Sequence, residues 1–93
     1  MTTLVARIKI LPVDVDVNLD SLLGKVRSNI PNGMSLKSHG IEPIAFGLNA
    51  VIADFTLNDS EGQMDLLEDS IKRSDGVGQL EVISVSRQSV NID

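Results

Sequence analysis

The first strand is predicted by a strict alternation of side chains near the start of the chain. Between Leu4 and Ile10, every second position is apolar, and Val5, Arg7 and Lys9 fill the positions in between. Successive side chains of a strand point to opposite faces of a sheet, so a period of two marks one buried face. We therefore expect this strand to bury the apolar side chains from Leu4 to Ile10 and to carry Val5, Arg7 and Lys9 on the uncovered face of the sheet.

Two helices are predicted by apolar residues at helical spacing. The first follows Asn18, an N-cap residue type, and stops at Pro31-Asn32-Gly33. The second begins at Ser60, which forms a capping-box pair with Gln63, and ends at Gly76. The apolar positions are Leu19, Leu22, Leu23, Val26 and Ile30 in the first helix and Met64, Leu67 and Ile71 in the second.

Three further strands complete the pattern. They are predicted over residues 34–41, 48–57 and 80–85, where β-forming residues are frequent. The resulting order, βαββαβ, favours an α+β fold of the ferredoxin-like type, a sandwich of a four-stranded antiparallel sheet with both helices on one face. We expect one domain over residues 1–93, with a flexible tail from about residue 88.

Composition and charge restrict the possible partners. The chain has no cysteine, which excludes disulfides, thiolate metal sites and a cysteine nucleophile. Its net charge of −5 disfavours binding to a phosphate backbone, so no direct nucleic-acid partner is expected. No apolar run reaches the ~18 residues of a membrane span, and Met1-Thr2-Thr3 does not begin a signal peptide. We expect a cytoplasmic protein that does not bind membranes.

Catalytic or metal-binding constellations are not evident in the sequence. His39 is the only histidine, so it has no second imidazole with which to share a metal or a proton. The carboxylates Asp59, Glu61 and Asp65 do not have the spacing of an EF-hand, and we expect them to serve the positive N-terminus of the second helix. No covalent catalysis, cofactor or metal is therefore expected.

The segment from Ile41 to Ala50 is the least generic part of the chain. Pro43 introduces a turn and Ala45-Phe46-Gly47 a kink, and the apolar strand pattern resumes only at Leu48. Gly47 supplies backbone freedom, so Phe46 can be presented at a bend. A phenylalanine beside a glycine is either part of the core or a contact residue, and the pattern alone leaves both open.

The heptapeptide EPIAFGL, residues 42–48, closely resembles a signature of the translation elongation factor 1-beta family in its short archaeal form. Residues 4–12 and 19–23, and then 76–77, 80–82 and 86–87, resemble further segments of that family in the same order. The resemblance implies a guanine nucleotide exchange factor for elongation factor 1-alpha. Such a factor binds the GDP-bound and the nucleotide-free GTPase and breaks no covalent bond.

The same resemblance implies which residues act in exchange. The aromatic residue at the family's kink contacts a second domain of the GTPase, and Phe46, followed by Gly47, matches it. A basic residue near the C-terminus of family members lies near the magnesium and phosphate site of the partner, and Ser86-Arg87 occupy the corresponding positions. We expect a monomer. The alternative is a small-molecule-sensing regulatory domain of the same fold, which would dimerise.

Overall fold

A computed structural model of the chain describes residues 2–89. They form a four-stranded antiparallel sheet and two helices in the order βαββαβ, which confirms the predicted ferredoxin-like fold. The elements are β1 (Thr2–Pro12), α1 (Leu19–Asn29), β2 (Ser35–Ala45), β3 (Leu48–Asn58), α2 (Gln63–Lys72) and β4 (Val77–Ser89).

β1 is the strand on which the sheet is assembled. The strand order is β2-β3-β1-β4, so β1 has an antiparallel neighbour on each side and β2 and β4 are the edges. Ala6, for example, lies opposite Phe55 of β3 and Val85 of β4. One strand therefore sets the register of both of its neighbours.

The core lies between one face of the sheet and both helices. Along β1 the alternate residues are buried, and Val5, Arg7 and Lys9 lie on the opposite face, as predicted. Phe55 is fully buried and is the only aromatic residue of an otherwise aliphatic core. The buried cluster consists of Leu4, Ala6, Ile8, Ile10, Leu22, Leu23, Val26, Met34, Val51, Ala53, Phe55, Leu57, Leu67 and Ile71.

The strands are longer than the sequence pattern predicts. β4 pairs with the whole of β1, from Thr2 opposite Ser89 to Pro12 opposite Val77, whereas only residues 80–85 have the pattern of a strand. β2 continues to Ala45 through Pro43, which an edge strand tolerates because its outer side needs no ladder hydrogen bond. The backbone of residues 88–89 is thus in β4, and the rest of the expected tail lies outside the described residues.

The two helix starts differ in their agreement with the sequence. The Asn18 side chain accepts a hydrogen bond from the backbone N–H of Ser21 over 3.0 Å, which confirms the first cap. The prediction of a capping box at the start of α2 is wrong. The N-cap residue of α2 is Gly62, which has a φ of 83°, and no side chain donates or accepts a capping hydrogen bond there. The helix begins after this left-handed glycine, so Ser60 lies too far upstream for its side chain to cap the helix. Only the backbone carbonyl of Ser60 accepts a hydrogen bond from the N–H of Gln63.

Two glycines in regular elements should respond oppositely to alanine. A Cβ at Gly78 would lie 3.0 Å from the carbonyl oxygen of Pro12 and from Cα of Val13, and backbone atoms cannot rotate away. A Cβ at the exposed Gly24 of α1 would meet nothing within 4 Å. Thermal unfolding should show a lower melting temperature for Gly78→Ala. Gly24→Ala should raise the free energy of unfolding by about 0.5–1 kcal/mol, because glycine is less favourable than alanine in the interior of a helix. A Gly78→Ala protein as stable as the wild type would contradict this prediction.

Candidate functional site

A two-residue turn joins β2 to β3 and consists of Phe46 and Gly47. Both residues have positive φ, 53° and 81°, as in the type I′ turns that suit the twist of a hairpin. Glycine adopts this conformation freely, whereas a bulky residue rarely does. The Phe46 side chain is fully exposed, with a relative accessibility of 101%, so it is outside the core.

Other exposed apolar side chains lie near this turn. Ile41 and Ile44 of the edge strand β2 are 52% and 39% exposed. Val15, in the loop between β1 and α1, is 56% exposed and lines a small cleft together with Gly47. We call Val15, Ile41, Ile44 and Phe46 the hairpin end. Sequence patterning placed residue 41 in a strand but could not show that this strand is an edge left uncovered by the helices.

Ser86 and Arg87 are neighbours near the end of β4 but lie on opposite faces of the sheet. Ser86 is opposite Val5 on the uncovered face, and Arg87 is opposite Leu4 on the helix side. The guanidinium of Arg87 forms an ion pair with Asp59, in which Nε lies 2.6 Å from Oδ2 and Nη2 donates to Oδ1 over 3.5 Å. The sequence predicts a different role for Asp59, at the start of α2. Its pairing with a residue 28 positions away left no signal in the sequence.

The four predicted site residues form two separate groups. Arg87 is in register with Leu4, whereas Val51, near the hairpin turn, is in register with Ile10. The six-residue step along β1 from Leu4 to Ile10 corresponds to about 20 Å, and Phe46 lies farther along the sheet than Val51. Phe46 and Gly47 are thus at one end of the sheet, and Ser86 and Arg87 are at the other.

The uncovered face of the sheet carries paired charges. Arg7 donates from Nε to Oδ1 of Asp54 over 2.9 Å and from Nη2 to Oδ2 over 3.1 Å, and Ser38 donates to the same carboxylate over 3.3 Å. The hydrogen bonds from Arg7 hold the pKa of Asp54 below its ordinary value of 3.8 and raise the pKa of Arg7. Lys9 pairs with Glu42, its Nζ 3.5 Å from Oε2. Arg7 and Lys9 therefore each have an acidic partner within the chain.

The remaining candidate groups are the carboxylates around the start of α2 and the histidine of β2. Among residues 2–89, no three histidine, aspartate or glutamate side chains are arranged to hold a metal ion, and Asp59, Glu61 and Asp65 are no exception. His39 lies exposed on β2. Neither helix of the described chain has the length and apolar character that a membrane span requires.

Comparison with known proteins gives matches along nearly the whole chain. Residues 5–87 match the family described as the EF-1 guanine nucleotide exchange domain. The chain is 38% identical to elongation factor 1-beta of Staphylothermus marinus over 88 residues, which covers 94% of this chain and 98% of the relative. It is 39% identical to elongation factor 1-beta of Methanosarcina barkeri over 88 residues, or 94% and 99% of the two chains.

A solved structure provides a likeness of fold alone. The C-terminal domain of the MgtC protein from Mycobacterium tuberculosis superposes with a TM-score of 0.52. The superposition covers 91% of this chain and 85% of that domain, at 10% sequence identity. It supports the ferredoxin-like arrangement and says nothing about function, because this fold supports many unrelated activities.

The Arg7–Asp54 pair predicts a specific response to acid. Since folding lowers the pKa of Asp54, the pair stabilises the fold fully above the unfolded-state pKa and loses this contribution as pH falls through the lower folded-state pKa. Melting temperatures of wild type and Asp54→Asn should therefore differ near pH 7 and converge below the ordinary value of 3.8. Two curves that stay parallel down to about pH 2 would show that Asp54 contributes nothing through its charge.

Proposed function

Because this chain belongs to the EF-1 guanine nucleotide exchange domain family, we propose that it promotes the release of GDP from elongation factor 1-alpha, so that GTP rebinds during translation elongation. The observation that carries this proposal is the family match over residues 5–87. Almost the full length of the elongation factor 1-beta relatives is covered by this chain, which supports a corresponding role. The protein would act in the cytoplasm as a monomer, on a non-covalent equilibrium, and not as an enzyme.

Exchange of this kind depends on differential binding. A factor that binds the nucleotide-free GTPase more tightly than the GDP-bound form weakens GDP binding, and GDP weakens factor binding by the same ratio. A thousandfold weakening of GDP requires about 4 kcal/mol of difference between the two complexes. The factor must therefore gain contacts in the nucleotide-free complex that the GDP-bound complex lacks.

The hairpin end is our proposed anchor on the GTPase. Large apolar side chains that are exposed together mark interaction surfaces, and aromatic residues are enriched at interface hot spots. Phe46 fits this role because it is fully exposed at a left-handed turn position, so no packing within the described chain accounts for the residue. Gly47 contributes the second left-handed residue, on which the tight hairpin depends.

Arg87 is our proposed residue at the nucleotide site. Its side chain is 69% exposed and carries a permanent positive charge at the end of the last strand. A cation brought to the phosphate and magnesium site would compete with Mg²⁺ and so favour the complex without nucleotide. The separation from Phe46 along the sheet, more than about 20 Å, allows the two groups to contact different regions of one partner. Ser86 lies on the other sheet face and would contact the partner from that side.

The small-molecule-sensing alternative rests on the fold alone. A cleft of about 610 Å³ along α2 is open to solvent and is lined by three carboxylates and one lysine. An enclosed apolar pocket is the usual site for a small ligand, and this cleft does not have that form. A molecular-mass measurement in solution separates the two functions, since the alternative requires a dimer.

The exchange function should be visible as accelerated release of a fluorescent GDP analogue from elongation factor 1-alpha in excess unlabelled GDP. The factor is added at sub-stoichiometric concentration, because a catalytic exchange factor discharges several GTPase molecules in turn. We expect the release rate to rise with factor concentration and to saturate with increasing GTPase. No acceleration of a GTPase that binds and releases GDP normally would refute the proposal.

The two proposed contacts should fail in different ways. Phe46→Asn should keep the melting temperature of the wild type, since asparagine tolerates the left-handed turn. It should raise the GTPase concentration that half-saturates exchange roughly tenfold, which corresponds to a loss of about 1.4 kcal/mol in binding free energy. Arg87→Ala should lower the maximal exchange rate more than it weakens binding, because its contact belongs to the nucleotide-free complex. Release rates are measured over a range of protein concentrations.

The control for this comparison is Ile83→Ala, which truncates an exposed apolar side chain of β4 outside the hairpin end. It should leave both kinetic parameters unchanged. If Phe46→Asn melts at a lower temperature yet exchanges normally, the residue serves stability. Wild-type kinetics in Arg87→Ala would remove Arg87 from the mechanism.

A further inference from the structure

The ion pair between Arg87 and Asp59 spans the end of the sheet. Arg87 is in β4 and Asp59 directly follows β3, and β1 runs between these two strands. Leu4 of β1 is in register with Arg87 on one side and with Leu57 on the other. Neighbouring strands lie about 4.8 Å apart, so the contact connects strands separated by roughly 10 Å. The Arg87 side chain is therefore directed inward, across β1.

The contact controls the direction of the guanidinium while leaving it accessible. Asp59 engages Nε and Nη2 at two points, so Nη1 lies outside the ion pair. The Asp59 side chain is only 27% exposed, whereas that of Arg87 is 69% exposed. Asp59 thus holds one edge of the planar guanidinium, while most of the Arg87 side chain remains exposed to solvent.

A third arginine–aspartate pair, in α2 and at its end, is local in sequence. Nη2 of Arg73 lies 2.6 Å from Oδ2 of Asp69, four residues earlier, and the two side chains are 76% and 54% exposed. That pair is local to α2 and its end, whereas the Arg87–Asp59 pair connects two separate strands. The local pair therefore provides a matched control: replacing Asp69 removes the aspartate partner of an arginine but leaves the Arg87–Asp59 pair unchanged.

We propose that Asp59 is a positioning residue for Arg87, which holds the guanidinium across the sheet end and presents its outer edge to an anionic oxygen at the nucleotide site of the GTPase. The inference rests on the proposed exchange function. An arginine held in advance loses less conformational freedom when it binds than one that rotates freely. Removing the Asp59 charge should therefore slow exchange although Arg87 itself is intact.

The test compares Asp59→Asn with Asp69→Asn in the GDP-release assay. We expect Asp59→Asn to lower the maximal exchange rate roughly three- to tenfold, the usual effect of having to immobilise one long side chain, with little change in the half-saturating concentration. Asp69→Asn, which changes the net charge equally, should match the wild type. In an Arg87→Ala background, Asp59→Asn should produce no further loss, because its effect acts through Arg87.

Several results would overturn the inference. Faster exchange by Asp59→Asn would show that the ion pair withholds Arg87, and an unchanged rate would show that orientation does not matter. A further loss in the Arg87→Ala background would mean that Asp59 acts on the GTPase directly. Failure of the wild type to accelerate release would instead refute the exchange function, and with it this role of Asp59.

The orientation itself can be measured without the GTPase. In a ¹⁵N NMR relaxation experiment, the Nε–Hε group of Arg87 should be ordered in the wild type and mobile in Asp59→Asn. Asp59→Glu, which keeps the charge, should restore part of the order and part of the exchange rate. Equal mobility of Arg87 in the wild type and in Asp59→Asn would overturn the proposed positioning even if the exchange rates differed.

Discussion

The pairing of β1 with β3, from Thr3 to Ile10, and with β4, along its whole length, is the constraint on which the structure depends. Its alternating side chains place the apolar set under both helices and the charged set on the uncovered face. Its register also determines which residues of the flanking strands meet, including Arg7 with Asp54 and Leu4 with Arg87. A shift of one residue would exchange the two faces of a strand, so the buried aliphatic core holds both neighbours in register.

The same pairing gives the two proposed contact regions a fixed separation. The hairpin end extends from the side where β1 finishes, and Arg87 lies where β1 begins. Between them is a sheet that buries its core residues and leaves the side chains of the proposed contacts exposed. Such a scaffold suits a protein that must contact two regions of a partner at once, because the geometry between the contacts is set before binding.

Local patterning predicted the fold, whereas long-range pairing determined the details of the site. The alternation in β1 and the helical spacing in α1 and α2 are local signals, and both were confirmed. The ends of β4 were not predictable, since they follow β1 through strand pairing. The exposure of Phe46 required knowledge of the turn geometry, and the Asp59–Arg87 contact required the order of the strands. Their roles in exchange stay predictions.

The irregular course of β2 has a consequence for how the protein behaves at high concentration. An edge strand that carries exposed apolar residues is a template on which a second molecule can add a strand. In β2 the ladder is interrupted by register shifts at Lys37 and Ile44, and Pro43 offers no N–H for a new hydrogen bond. The hairpin end can thus remain exposed for a partner while the adjacent backbone resists stacking into edge-to-edge aggregates.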